Sequence, residues 1–227
     1  MSKVAIIYGS AAALVLSSAA SMRSAADYVA EQHVAQPPKE VAEAIAKRLG
    51  RKAVSVRDSR GNTLCQLWLR TDLPLLKHFS SQTDLNYPLA PGTLVGVVHF
   101  PAGWADFREQ ELSAGTYTIR YAHQPQDGDH LGTSDYRDFL LLCRAKDDTK
   151  PDRIEDADEL SELSAAAAGS NHPATVYLLP PPKTKRLPSV IHNDEHGYHV
   201  LVVETTAKRG DRATKLTLAI VIVGHAI

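Results

Sequence analysis

At 227 residues, 44% hydrophobic and 22% charged with a formal net charge of −1, the chain is long enough to bury a proper core in one domain. No basic stripe stands out among its 25 Lys and Arg residues, which argues against nucleic acid as a partner. An aromatic content of 6% is low for a surface that binds oligosaccharides.

The first 26 residues carry an export pattern. Met1-Ser2-Lys3 is a short positive start, and Val4 to Ser17 (VAIIYGSAAALVLS) is an uncharged, mostly apolar run. Small residues follow in Ser18-Ala19-Ala20 and Ser24-Ala25-Ala26. This is the order of n-region, h-region and A-x-A-like site in a secretory signal peptide, so residues 1–26 are expected to be removed and the rest secreted or periplasmic. The alternative is a single anchor: the 19 uncharged residues from Val4 to Met22 approach the lower limit for a spanning helix, although Gly9, Ser10, Ser17, Ser18 and Ser21 dilute them. A cleaved chain keeps no stable membrane span. It also loses Lys3 and Arg23, which leaves 23 basic against 26 acidic residues.

Residues 27–50 read as a leader and a short helix. Asp27 to Pro38 has no strong period, whereas Lys39 to Leu49 places Val41, Ile45 and Leu49 at a spacing of four, with Gly50 just past the end. From Arg51 the period changes to two. Lys52–Arg57 and Thr63–Arg70 flank the turn cluster Asp58 to Asn62 as a hairpin, with Cys65, Leu67 and Leu69 on one face and Leu64, Gln66, Trp68 and Arg70 on the other. Thr71 to Pro91 is an extended connection, Thr93–Phe100 a strand, and Asp106–Leu112 a polar strand or loop. In Gly115–His123, Tyr117, Ile119 and Tyr121 alternate with Thr116, Thr118, Arg120 and Ala122, the pattern of a strand buried on one face. Asp135–Arg144 is the next strand.

An acidic helix is expected over Asp152–Ala168, closed by Gly169. Ala174–Leu179 is a strand stopped by three prolines. Leu187–His192 and Tyr198–Thr206 flank Asn193 to Gly197 as a second hairpin, and the almost continuously apolar Leu216–Val223 should be a central strand. Together these predict an all-β domain over 51–227, mainly an antiparallel β-sandwich, with two short accessory helices, one of them an insertion near 152–168.

Three sets of residues could carry chemistry. The loop His123 to Asp138 (HQPQDGDHLGTSDYRD) partly matches a calcium loop counted from Asp127, with Asp129, Gly132, Asp135 and Asp138 at the expected offsets. Leu131 at a ligand position, Asp rather than Glu at the end and strand-like flanks depart from that pattern. His123 and His130 bracket the loop. His192, His196 and His199 cluster in HNDEHGYH, imidazoles of the kind that ligate zinc, and His192 and His199 could face each other across a hairpin. A divalent metal on His123, Asp127, Asp129, His130, His192, His196 and His199 is therefore a candidate cofactor. In the third set, Ser170 to Pro173 follows the acidic helix, and His172 is more readily a capping or packing residue than a catalytic one. There is no G-x-S-x-G elbow, P-loop or G-x-G-x-x-G. Loop residue Trp104 is expected to fold back as a lid on the core. Cys65 and Cys143 are either a disulfide, which would stabilise by about 4 kcal/mol through chain entropy, or two buried thiols.

Asn62–Pro74 (NTLCQLWLRTDLP), Gly115–Arg144 and Asn171-His172-Pro173 together resemble uncharacterised exported bacterial proteins. That resemblance implies an exported all-β domain and transfers no catalytic residue. The resulting expectation is a non-catalytic binding or structural module of the cell envelope, whose partner is an envelope component or a small ligand. The competing expectation is a metal-dependent hydrolase that uses the 123–138 loop and the 192–199 turn.

Overall fold

The structure is a computed structural model that describes residues 28–126, 134–184 and 186–226. Residues 1–26, expected to direct export, lie outside these. Among the described residues, no helix is long and apolar enough to cross a membrane.

The chain order is β1 (Val29–Val34), α1 (Glu43–Ala46), β2 (Lys52–Arg57), β3 (Thr63–Leu69), β4 (Leu73–Pro74), β5 (Leu94–Phe100), β6 (Trp104–Ala105), β7 (Glu111–Leu112), β8 (Gly115–His123) and β9 (Asp138–Arg144). It continues with α2 (Ala157–Ala168), β10 (Thr175–Leu179), β11 (Ser189–Asn193), β12 (Tyr198–Arg209) and β13 (Arg212–Val223). The fold is all-β with two short helices. One sheet runs β1-β2-β3-β5-β8-β9-β10-β13-β12-β11, antiparallel throughout, with β4 added parallel to β12. Strand β10 makes it continuous: Thr175 to Tyr177 pair with β9, and Leu178 and Leu179 pair with β13. The sheet curls until its edge strands β1 and β11 come into contact, and Tyr28 meets His199 edge-on at 4.8 Å. The sandwich expected from the strand count is thus one curled sheet.

Alternation decides what the curl encloses. Cys65, Leu67 and Leu69 of β3, Tyr117, Ile119 and Tyr121 of β8, and Leu218, Ile220 and Ile222 of β13 share the main core. On the other side of β13, Ala219 and Val221 join Phe107, Phe139 and Tyr177 in a second cluster, so this strand is covered on both faces as its apolar run requires. Trp104 stacks on Phe100 at 4.7 Å and donates from Nε1 to the Ile222 carbonyl, which makes it the expected lid.

Three expectations need correction. The supposedly loose leader contains β1, which pairs with β2 while burying little side chain, so periodicity could not reveal it. The first helix shrinks to four residues; Val41, Ile45 and Leu49 are buried as their spacing demands, but several bonds around them, such as Ile45 N–H to the Ala42 carbonyl, have the tighter i to i−3 form. The third concerns β8, whose second face is not solvated. Thr118 and Arg120 are 0% exposed beneath residues 145–154. The Arg120 guanidinium grips both oxygens of Asp148, from Nε at 2.6 Å and from an Nη at 2.7 Å, and also donates to the carbonyls of Gly92, Lys150 and Asp152. Gly92 lies at φ +85°, and a Cβ there would fall 1.7 Å from the Ile154 carbonyl oxygen. The same clamp delays α2 to Ala157: Asp152 and Ile154 are tied to Arg120 and Gly92, and Asp156 then caps the helix by accepting from the Asp158 and Glu159 N–H groups. Gly169, at φ +67°, closes it as expected.

Candidate functional site

Beside the clamp, on this outer face, α2 and the Phe107 loop stand apart over β8, β9 and β10. They leave a cavity of about 840 Å³. Its walls are mostly apolar: Ala122, Leu141 and Phe139 from the strands, Leu160 from α2, Ile154 before it, and Phe107 opposite. Polar residues line it too: His123, Gln124 and Arg137 near the end of β8, the charged Arg108, Glu109 and Glu155, and Asn171 and His172.

Each wall is held by a local device. Asp106 is 1% exposed, and its carboxylate accepts from the N–H groups of Arg108, Gln110 and Thr175 and from the Gln110 side-chain amide. This fastens the 106–110 turn to β10 and aims Phe107 at Tyr177, Phe139 and Tyr198, with ring centroids 4.7 to 6.1 Å away. The turn places Glu109 at φ +61°, a conformation that an L side chain adopts only under constraint. The Ser164 hydroxyl of α2 donates to the Leu142 carbonyl and accepts from Ala174 N–H, which seats the helix on the sheet. Ser170 accepts from His172 N–H and donates to Gln110, fixing the segment that carries His172.

At the end of β8 a buried polar chain reaches the cavity. The Tyr121 hydroxyl donates to Asp138 Oδ1 at 2.5 Å, and His123 Nε2 lies 3.1 Å from the same hydroxyl. The other oxygen of Asp138 accepts from the backbone and side-chain N–H groups of Asn86 at 2.7 and 3.3 Å. Burial and the adjacent carboxylate raise the Tyr121 pKa far above the ordinary phenol value. His123 is shifted the other way: burial lowers its pKa, and the Arg137 charge adds to this against the opposing pull of Asp138 and Asp84. Its ring is therefore neutral near pH 7. The Arg137 guanidinium is itself engaged, by the Gln124 carbonyl at 3.3 Å and by Asp84 at 3.5 Å.

The remaining sequence candidates lie elsewhere. Asp127, Asp129 and His130 fall outside the described residues. His192 and His199 pair across β11 and β12 with ring centroids 4.6 Å apart, and His192 Nδ1 lies 2.8 Å from Asp194. His196 stacks on Tyr198 instead. Four antiparallel pairings separate β8 from β12, so these strands run the same way. The loop after β8 and the turn before β12 therefore leave the sheet in opposite directions, although Tyr198, at the start of β12, packs 5.7 Å from Phe107. Among the described residues, no three His, Cys, Asp or Glu side chains gather as a metal-holding group. Cys65 and Cys143 are two free, buried thiols rather than a bridge: Cys65 packs in the main core, and Cys143 packs on the opposite face with Leu141 and Leu160. Burial pushes both thiols up to about 12.

Sequence reasoning passed over Tyr121, which alternation assigned to plain core. Asp138 entered it only as the last position of a calcium loop. What joins them is the register of the β8–β9 hairpin, where His123 faces Asp138 and Tyr121 faces Leu140. Phe107 carried no signal, because an aromatic in a polar loop has no period.

Comparison with protein-family models, curated proteins and solved structures finds no match, so the functional reading rests on this geometry.

Proposed function

We propose that this protein is an exported, non-catalytic binding module that holds a small, largely apolar ligand in the cavity between α2 and the Phe107 loop. The supporting observation is the cavity itself. A volume of about 840 Å³ and largely apolar walls with polar groups set among them suit a small-molecule site. Export is inferred from the pattern of residues 1–26. The metal-dependent hydrolase gathers no support among the described residues, where no three His, Cys, Asp or Glu side chains gather as a metal-holding group.

The test is titration with Nile red, a neutral dye that brightens in apolar surroundings. Wild-type protein is expected to bind it saturably near one to one. Ala122→Phe, which places a ring inside the cavity, should abolish the signal while the protein still unfolds cooperatively in urea. An unaltered titration in that variant would overturn the assignment of the site.

A further inference from the structure

We infer that the cavity selects an uncharged ligand bearing a hydrogen-bond donor, such as an alcohol, and that His123 Nδ1 is the acceptor that reads it. This rests on the proposal that the cavity is the binding site. The argument is one of proton placement. A hydroxyl 2.5 Å from a carboxylate has given its proton to that bond, so Tyr121 donates to Asp138 and keeps only lone pairs for His123. His123 Nε2, at 3.1 Å, must then be the donor to Tyr121. A neutral imidazole carries one N–H, and with that proton on Nε2 the other nitrogen is an acceptor. Nδ1 has no hydrogen bond to any described residue, and His123 lines the cavity.

The tautomer is fixed from behind. Asp138 is 0% exposed and its second oxygen is held by Asn86, so the carboxylate cannot turn to release Tyr121. The surroundings also select against charge. A carboxylate has no proton to donate to Nδ1, and Arg137, the cation that acts on His123, is already engaged by Asp84 and Gln124. An ammonium would donate, but it would have to leave water for largely apolar walls. A neutral hydroxyl meets none of these costs.

The experiment is competition against Nile red by three probes of similar length: 1-decanol, its methyl ether and decanoate. Wild-type protein is expected to take the alcohol about fivefold or more tighter than the ether, because the ether leaves Nδ1 unsatisfied. In His123→Leu the ratio of alcohol to ether should fall to near one, whatever the dye affinity of that variant. A separate measurement needs no variant: long-range proton–nitrogen NMR of wild-type protein should show His123 neutral at pH 7 with its proton on Nε2. Equal competition by alcohol and ether, an alcohol preference that survives His123→Leu, decanoate as the tightest competitor, or a proton on Nδ1 would each overturn the inference and leave the cavity assignment standing. Failure of Nile red to bind wild-type protein would bring down the cavity assignment and the inference with it.

Discussion

Asp148 and Asp138 are both carboxylates with almost no exposure, at 3% and 0%, and they are satisfied in opposite ways. Asp148 meets a guanidinium on both oxygens and a Thr118 hydroxyl at 2.5 Å, while the rest of Arg120 is consumed by three carbonyls. Every group in that network ends on the protein. Among the described residues, Asp138 meets no guanidinium at hydrogen-bond distance. It is held by the neutral donors of Asn86 and Tyr121, and the chain continues through His123 to the cavity wall. A closed network of this kind serves the fold, and one with an open end can serve a ligand. The two also answer to different physics: a paired buried charge is costly to break and insensitive to what lies nearby, whereas a line of neutral hydrogen bonds passes on the protonation of its last member.

The largest effect is expected from breaking the closed network. Arg120→Met leaves Asp148 buried and unpaired, and should lower unfolding stability by about 3–5 kcal/mol in urea titration. The thiols sharpen the readout. With both pKa values raised to about 12 by burial, neither Cys65 nor Cys143 should react with iodoacetamide at pH 8 in the native wild type. In Arg120→Met, Cys143, which senses Asp148 and Arg120, should be alkylated before Cys65. Simultaneous labelling of both would mean that the clamp and core open as one.

Tyr121→Phe cuts the open network at its middle. It strands one oxygen of Asp138 and frees His123 Nε2, and should cost about 1–3 kcal/mol by the same titration. A loss equal to that of Arg120→Met would erase the distinction between the two carboxylates.

The smallest effect is on pH dependence. The folded pKa of His123 lies below its ordinary value of 6.5, so the unfolded chain takes up the proton first as pH falls. The corresponding stability is fully present above pH 6.5 and is lost as pH drops from there through the lowered folded value. The difference in stability between pH 7 and pH 5 should therefore shrink in His123→Leu, measured by urea titration at both values. An unchanged difference would show that His123 carries its proton with equal ease folded and unfolded.

The contrast also explains what was legible in the sequence. Elements whose reason is local were readable: the apolar run of β13, the alternation of β8, the Gly169 stop of α2 and the Asn193–Gly197 turn all follow from neighbours a few positions away. Arg120 was not, because its partner stands 28 positions later in a charged stretch that reads as a solvated loop. On the polar face of an alternating strand, a buried arginine and an exposed one look alike until the covering segment is placed. The candidate site was legible only at His123. Its supports, Tyr121 and Asp138, are brought together by register, and its opposite wall, Phe107, by a turn fixed through the buried Asp106. Strand β1 escaped for a different reason, since it is held by backbone pairing at a sheet edge and leaves no apolar signature.

Gly92 has a consequence for heredity. Its carbonyl receives Arg120, its φ is +85°, and a Cβ would strike the Ile154 backbone, so no other residue fits while the clamp stands. The cavity walls can trade Ala, Leu and Phe as ligands change over descent. Gly92, Arg120 and Asp148 can change only together. A distant descendant that has lost every recognisable stretch of apolar sequence should still be betrayed by that trio, a glycine, an arginine 28 positions on and an aspartate 28 beyond it.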